Sequence, residues 1–162
     1  MPSPSMTPYV VTYAQATTSS VVINELMAGN DTTLADPQGD FNDWIELFNM
    51  TDEAVDLSGM YLSDNPENPL KWEFPDGTVI DAGGYVLVWA DEDGGDEGLH
   101  ANFKLSADGE TVWLYDTDTN QNALLDTVTF TAQTADQSIG RVPNGGDEWQ
   151  VLTTPSPLAE NQ

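Results

Sequence analysis

Carboxylate side chains are the groups in this chain whose types and spacing could support chemistry. The stretch GDFNDWIELFN (39–49) places Asp43 and Glu46 three positions apart in a run of β-forming residues. Glycoside hydrolysis needs two carboxyl groups held across a cleft, one of them with a raised pKa. Because side chains alternate between the two faces of a strand, Asp43 and Glu46 point to opposite faces. We therefore interpret this stretch as a structural strand and not as a catalytic site.

Nucleophilic catalysis has little support in the sequence. The chain contains no cysteine, and no serine lies in a G-x-S-x-G motif. His100 is the only histidine and lies in a predicted loop, DEGLHANF. A single loop histidine is interpreted as a solvated or packing residue, because a catalytic triad also requires partners with a defined geometry. The expectation is a protein without catalytic activity.

Calcium binding is the chemistry that the acidic loops favour most. The loop DEDGGDEG (91–98) offers Asp91, Asp93, Asp96 and Glu97 on a glycine-rich backbone. Ca²⁺ takes six to eight oxygen ligands, which flexible loops rich in carboxylates supply. The alternative is an acidic loop that only faces solvent. Both interpretations stand at this point, and no other cofactor is indicated.

A second acidic loop, DTDTNQN, has a weaker calcium pattern. It places Asp116, Asp118 and Asn120 at alternate positions, as at the start of an EF-hand loop. It departs from that motif at Gln121, where the turn glycine belongs, and at Thr127, where the bidentate glutamate belongs. The alternative is an Asp- and Asn-rich hairpin turn between two strands, and we favour it for this loop.

The charge balance restricts the partners that the chain can have. Twenty-eight acidic residues face only Lys71, Lys104 and Arg141, for a formal net charge of −25. Nucleic-acid binding depends on neutralising phosphates with Lys and Arg, so nucleic acid and anionic lipid are poor partners. Such a charge is typical of solubility in a salty or calcium-containing exterior. Arg141 forms either an exposed ion pair or an internal clamp on carbonyl or carboxylate groups.

Hydrophobic patterning predicts an all-β fold. Runs of β-branched and aromatic residues are separated by glycine-rich turns, and no stretch of eleven or more residues has helical periodicity. The predicted strands are 21–27, 43–49, 85–90, 110–116 and 124–130, with shorter candidates at 60–64, 71–74 and 149–152. Many short strands with Gly and Pro turns indicate a β-sandwich of two mainly antiparallel sheets.

Strand alternation also predicts which side chains enter the core. Ile45 and Leu47 lie on one face of their strand, whereas Trp44, Glu46 and Phe48 lie on the other. We assign Ile45 and Leu47 to the core between the sheets. The two aromatic residues on the opposite face then need cover from a loop or a terminal segment.

The ends of the chain differ in composition from its middle. Residues 1–19 are rich in Pro, Ser and Thr and are predicted to be a flexible linker or an edge strand. Within them, residues 8–14 contain β-formers that could pair with an open sheet edge and so support self-association. Residues 20–153 form the predicted sandwich domain, and the Pro-punctuated segment 154–162 is expected to fray.

Several short motifs follow one another along the domain. The most specific is FPDGTVIDAGGYVLVWADED (74–93), in which Phe-Pro leads through a turn and an AGG corner into an apolar strand. The others are VVINELMAGN, DWIELFN, VDLSGMYLSDN, NFKLSADGETVWLYD and SIGRVPNG. Together they resemble the bacterial and archaeal branch of the lamin tail domain family, from about residue 20 to residue 153. The resemblance implies an immunoglobulin-like β-sandwich without catalytic activity, used as an accessory module in secreted or surface proteins.

The expected function is therefore a non-catalytic interaction or structural module of an extracellular or cell-surface prokaryotic protein. It would dock a protein partner or associate with itself, with no membrane insertion. One alternative is a carbohydrate-binding module, for which the candidate stacking residues are Trp44, Trp72, Trp113 and Trp149. Another is a calcium-stabilised spacer beside an extracellular hydrolase or nuclease.

Overall fold

The computed structural model describes residues 10–11, 20–92 and 97–162. Within these ranges the chain forms thirteen β-strands and one 3₁₀ turn at Asp118–Asn120. The strands are β1 (Val10–Val11), β2 (Val21–Met27), β3 (Asp43–Asn49), β4 (Val55–Asp56), β5 (Tyr61–Ser63), β6 (Trp72–Glu73), β7 (Val79–Ile80), β8 (Tyr85–Ala90), β9 (His100–Ala101), β10 (Gly109–Tyr115), β11 (Leu124–Thr131), β12 (Ser138–Arg141) and β13 (Trp149–Leu152).

Two main sheets form the sandwich that the sequence predicts. One has the order β1-β11-β10-β5-β6, the other has the order β13-β12-β2-β3-β8-β9, and β4 pairs with β7 in a small third sheet. All strand pairs are antiparallel except β8 with β9, which run parallel. No helix in the described ranges has the length and apolar character needed to cross a membrane.

The long strands coincide with the predicted runs, and β2, β3, β8 and β13 have the predicted bounds. The sequence did not indicate β4, β7 and β9, because a strand of two residues is too short to show alternation. It also missed β12, whose four residues include Gly140 and Arg141 and so lack an apolar pattern. Tertiary pairing, and not local preference, makes these segments strands.

The core between the sheets contains Ile45 and Leu47, both fully buried, as alternation predicts. Trp44 on the opposite face is also fully buried, in a second cluster with Met27 and Trp89. Leu34, from the loop that joins β2 and β3, packs against this cluster. A loop therefore supplies the cover that Trp44 requires.

The sequence suggests that the C-terminal segment, residues 154–162, frays. Instead, this segment packs across the outer face of the six-stranded sheet. Asn161 is only 2% exposed, and its Nδ2 donates hydrogen bonds to the backbone oxygens of Asn24 (3.0 Å) and Arg141 (2.8 Å). The backbone N–H of Ser156 donates to Glu25. Buried acceptors on the sheet thus hold a segment whose composition alone suggests mobility.

Candidate functional site

Glu46 forms a buried carboxyl pair with Glu25. The two residues are direct partners in the register of β2 and β3, and both are 0% exposed. Burial, with a smaller contribution from the neighbouring charge of Glu25, raises the pKa of Glu46 from 4.5 to about 8, although the hydrogen bond from the Leu158 backbone N–H lowers it. Glu46 thus contacts the C-terminal segment and faces neither water nor a cation.

Glu25 is held by three hydrogen bonds from serines. The Ser138 hydroxyl donates at 2.7 Å, and Ser156 donates from its backbone N–H at 2.9 Å and from its hydroxyl at 3.2 Å. Burial still raises the pKa of Glu25, because these hydrogen bonds lower it by less than desolvation raises it. Since neither Glu25 nor Glu46 is exposed, this pair has no surface at which a glycoside could reach it.

Arg141 is the internal clamp that the sequence left as one of two alternatives. It is 4% exposed, and its Nη2 lies 3.0 and 2.9 Å from the two carboxylate oxygens of Asp126. Its Nε donates to the backbone oxygen of Ile23, its Nη1 donates to that of Gly146, and its guanidinium lies over the Trp149 ring. These contacts tie β12 to β2 and to β11 across the sandwich.

Of the residues predicted to bind calcium in the loop 91–98, the structure describes Asp91 and Glu97. The carboxylate of Asp91 is buried and lies 2.7 Å from Nδ1 of His100. Glu97 is exposed and contributes its backbone oxygen, 2.9 Å from Nε2 of His100. Asp93 and Asp96 lie outside the described residues. His100 is thus a buried residue of β9, which agrees with the packing alternative and not with the solvated one.

A third residue, Asp36, completes this cluster. Carboxylate oxygens of Asp36 and Asp91 and a ring nitrogen of His100 all lie within 4.8 Å of one another, and all three residues are buried. Nδ2 of Asn42 bridges the carboxylates, at 2.8 Å from Asp36 Oδ2 and 3.2 Å from Asp91 Oδ2. We call Asp36, Asp91 and His100 the Asp-Asp-His cluster. A carboxylate and imidazole donor set of this kind could hold a metal ion.

Asp36 accepts backbone hydrogen bonds, and Asp91 affects the pKa of His100. Oδ1 of Asp36 accepts the backbone N–H groups of Gln38 and Asp40, each at 2.9 Å. Burial lowers the pKa of His100, but the hydrogen bond and charge of Asp91 and the Glu97 carbonyl outweigh this effect, so the pKa is raised overall. The sequence did not predict the involvement of Asp36. The only local signal is the turn sequence DPQGD, and its proximity to His100 depends on strand order.

The second acidic loop forms a hairpin turn between β10 and β11. Nδ2 of Asn120 donates to Asp116 Oδ2 (3.1 Å), and Nδ2 of Asn122 donates to Asp118 Oδ1 (2.9 Å). The hydroxyl of Tyr61 also donates to Asp118 Oδ1 (3.1 Å). Asp116, Asp118 and Asn120 are thus drawn into hydrogen bonds with each other and with neighbouring side chains, as in the hairpin alternative.

The four tryptophans considered for sugar stacking are integrated into the sandwich. Trp44 is fully buried, and Trp72, Trp113 and Trp149 are half-buried. Trp72 packs edge-on against Phe74 with ring centroids 4.7 Å apart, and Trp149 has Arg141 on its face. Each of these four indoles therefore contributes buried area to the sandwich.

Strand β13 is an edge of the six-stranded sheet. It pairs with β12 on one side, and no strand of the described ranges pairs with it on the other. The N–H of Val142 donates to the Glu148 oxygen (3.0 Å), so these two residues form a hydrogen-bonded pair. Along β12 and β13, hydrogen-bonded and non-hydrogen-bonded pairs then alternate. By this alternation, Trp149 and Val151 direct their backbone N–H and C=O groups away from β12. The free edge therefore offers unpaired backbone groups at two residues.

An open cleft of about 180 Å³ lies beside this edge. It is bounded by Val151 of β13, Ile139 of β12 and the segment 132–134 that follows β11. Gln133 is one of the lining residues, and its buried Nε2 has no hydrogen-bond partner among the described residues. We call β13 together with this cleft the β13 edge site. It combines backbone hydrogen-bonding groups, an apolar wall and one unused donor.

The order of strands in two facing, mainly antiparallel sheets defines an immunoglobulin-like β-sandwich. Residues 14–132 match the Lamin Tail Domain family, and the chain belongs to that family. Domains of this family are non-enzymatic and generally serve as structural or protein-interaction modules. No curated protein matches the chain. Strands β12 and β13 lie beyond the matched residues, so the family match does not itself describe the β13 edge site.

Proposed function

We propose that this chain is a non-catalytic docking module that binds an extended segment of a partner protein along β13. The observation that carries the proposal is the free edge of β13, with outward backbone groups at Trp149 and Val151 next to an open cleft. A segment that adds to a sheet edge gains affinity from main-chain hydrogen bonds and specificity from side-chain pockets. The β13 edge site offers both.

The size of the β13 edge site limits the bound segment. Four residues of β13 accommodate a short strand, and the cleft accepts a single apolar side chain against Val151 and Ile139. Burying one such side chain contributes about 1.5–3 kcal/mol, and each backbone hydrogen bond adds about 1 kcal/mol. These terms support a weak, reversible interaction.

Charge indicates which segments bind. The chain has a net charge of −25, and the exposed acids Asp147 and Glu148 directly precede β13. A segment with Lys or Arg next to its apolar residue gains favourable electrostatic steering, whereas nucleic acid and anionic lipid are repelled. Two copies of this acidic chain also repel each other at the same edge. The charge thus favours a basic protein partner over self-association at β13.

Strand β1 bears on the alternative of self-association through residues 8–14. Val10 and Val11 pair with Phe130 and Thr129 of β11 in the same chain. Self-association by this route would require β1 to leave its own β11 and pair with that of another copy. Deleting residues 1–19 and measuring the solution mass by sedimentation tests this alternative, since an unchanged monomer mass removes its support.

The proposal includes an extracellular or cell-surface location in a prokaryote. It is supported by a charge of −25, which external salt screens. Calcium in the acidic loops would serve there as a stabilising ion, with the chain as a spacer domain. Protease treatment of intact cells of the source organism, followed by detection of peptides of this chain, tests the location.

The docking proposal can be tested with a displayed library of random nine-residue peptides panned against the full chain. We expect enrichment of peptides that have an apolar residue flanked by Lys or Arg. Val151→Pro removes an outward N–H while sparing the hydrogen bonds to β12, and Ala132→Trp fills the cleft. Each substitution is expected to weaken binding of the selected peptides at least tenfold in a fluorescence titration.

Ala54→Trp is the matched control, because it adds the same side chain at an exposed loop position far along the chain from the β13 edge site. It should leave peptide affinity unchanged. Equal binding by the wild type, Val151→Pro and Ala132→Trp would refute docking at β13. Selection of peptides without basic residues would refute the charge argument while leaving the edge site intact.

A further inference from the structure

We propose that the Asp-Asp-His cluster binds one divalent transition-metal ion, with Zn²⁺ as the reference ion. The cluster joins three separate segments: the β2–β3 loop at Asp36, the end of β8 at Asp91, and β9 at His100. This site is independent of docking at β13 and uses neither of its strands. It also differs from the oxygen-only calcium loop that the sequence suggested.

The orientation of the His100 imidazole directs Nδ1 toward the carboxylates of the cluster. Nε2 of His100 lies 2.9 Å from the backbone oxygen of Glu97, a group that only accepts hydrogen bonds, so Nε2 carries a hydrogen. Nδ1 then faces Asp91 Oδ2 at 2.7 Å. This is a hydrogen-bond distance, so the two atoms share a hydrogen. A metal ion bound to both atoms would replace that hydrogen.

The surroundings already resemble those of a metal-bound histidine. Histidines that bind metals commonly donate their other ring N–H to a backbone carbonyl, as Nε2 of His100 does toward Glu97. The carboxylates are held by Asn42, and Asp36 also accepts two backbone N–H groups. Such anchoring fixes the ligands and increases the affinity of the site.

The donor set selects the class of ion. One imidazole nitrogen and two carboxylate oxygens suit Zn²⁺ and related first-row ions, which bind three protein ligands and a water. Ca²⁺ requires six to eight oxygens, and a ring nitrogen is a poor ligand for it. Donors around a tetrahedral Zn²⁺ are about 3.4 Å apart, given bond lengths of about 2.0–2.2 Å. In the cluster the donor atoms lie within 4.8 Å of one another, and Nδ1 of His100 lies 2.7 Å from Oδ2 of Asp91, so these two atoms would move apart to admit the ion.

An ion at this position would fasten the edge of the six-stranded sheet. Strand β9 has only two residues and a single parallel pairing with β8. Linking His100 to Asp91 and Asp36 through one ion would hold this short strand and the β2–β3 loop together. Binding should therefore raise the melting temperature, because the ion binds the native state and not the unfolded chain.

The test uses the tag-free full chain, treated with EDTA, dialysed and titrated with ZnCl₂ alone by calorimetry. We expect one Zn²⁺ per chain, a raised melting temperature, and an intense visible spectrum when Co²⁺ replaces Zn²⁺. Asp36→Asn, which keeps the shape of the side chain, should weaken Zn²⁺ binding at least tenfold. Asp116→Asn, in the other acidic loop, removes the same charge and should leave the affinity unchanged.

A measurement on the unmodified chain keeps the proposal testable even if a variant folds poorly. His100 is the only histidine, so imidazole ¹⁵N NMR reports on it without ambiguity. Zn²⁺ should shift the Nδ1 resonance and leave Nε2 protonated. Absence of this shift at saturating Zn²⁺, equal affinity in Asp36→Asn and Asp116→Asn, or full displacement of Zn²⁺ by equimolar Ca²⁺ would overturn the proposal.

Discussion

Glu46→Gln is expected to stabilise the chain at neutral and alkaline pH. Glu46 is fully buried next to Glu25, and burial raises its pKa from 4.5 to about 8. Glutamine has nearly the same shape and is neutral at every pH. Its amide oxygen can still accept the hydrogen bond from the Leu158 N–H. The substitution thus removes the titratable carboxyl group without opening a cavity.

The sign and size of the effect follow from proton linkage. Between pH 4.5 and about 8, native Glu46 keeps a proton that the unfolded chain has released. The free energy of unfolding therefore falls as pH rises, by up to about 1.4 kcal/mol per pH unit. From pH 5 to pH 7 the wild type loses about 2–3 kcal/mol through this group, and Glu46→Gln does not. Below pH 4.5 the two proteins should have similar stability.

Urea unfolding at pH 5, 6, 7 and 8 measures the difference directly. Burial also raises the pKa values of Glu25, Asp43 and Glu110, and these groups add slopes of the same sign to both proteins. Only the difference between variant and wild type reports on Glu46. Glu53→Gln is the control, since it removes one negative charge at an exposed position. We expect its stability to differ from that of the wild type by a small, pH-independent amount.

Two results would refute this account of Glu46. One is a pH dependence of stability in Glu46→Gln that equals that of the wild type. The other is a variant less stable than the wild type at pH 8, which would show that the native state uses the carboxylate form. Either result would mean that Glu46 is ionised beneath the C-terminal segment.

Three further substitutions test the fold. Asn161→Ala should lower the free energy of unfolding by about 1–3 kcal/mol, because two buried carbonyls lose their donor, whereas Gln162→Ala at the exposed end should have no measurable effect in urea. Gly109→Ala should lower the free energy of unfolding by more than about 2 kcal/mol, since its φ is +114° and a Cβ would lie 2.6 Å from a backbone oxygen. Gly77→Ala, where φ is positive but the space is open, should lower it by about 1 kcal/mol. Equal losses of stability in the two variants would contradict this prediction. Asp126→Asn should cost about 3–5 kcal/mol in thermal melts, because the buried arginine beside it would lose its counter-charge.

Much of the sandwich was predictable because it depends on short-range patterns. Strand β3 was placed at its observed bounds by its β-branched and aromatic residues, and alternation assigned Ile45 and Leu47 to the core. Gly77 and Gly109 marked turns because positive φ is accessible to glycine at low cost. These features involve neighbours a few residues apart, so local composition carries the information.

The candidate sites could not be predicted in the same way. Glu46 was correctly separated from Asp43, but its partner Glu25 depends on the register of β2 against β3. Asp36 and Asp91 are far apart in the sequence, and only the folding of the β2–β3 loop against the end of β8 brings them to His100. Composition suggested calcium at 91–98 from the number of acids, but it could not show that Asp91 turns inward toward His100.

The sequence by itself determined the all-β class, the long strands, their core faces and the family, because alternation, turn residues and ordered motifs are local and repeated. Only the tertiary structure decided that the C-terminal segment packs on the sheet, that two glutamates share a buried site, and that one histidine meets two aspartates. Each of these depends on which distant segments become neighbours. Which segments become neighbours depends on the burial of many side chains at once, so no single stretch of the chain determines it.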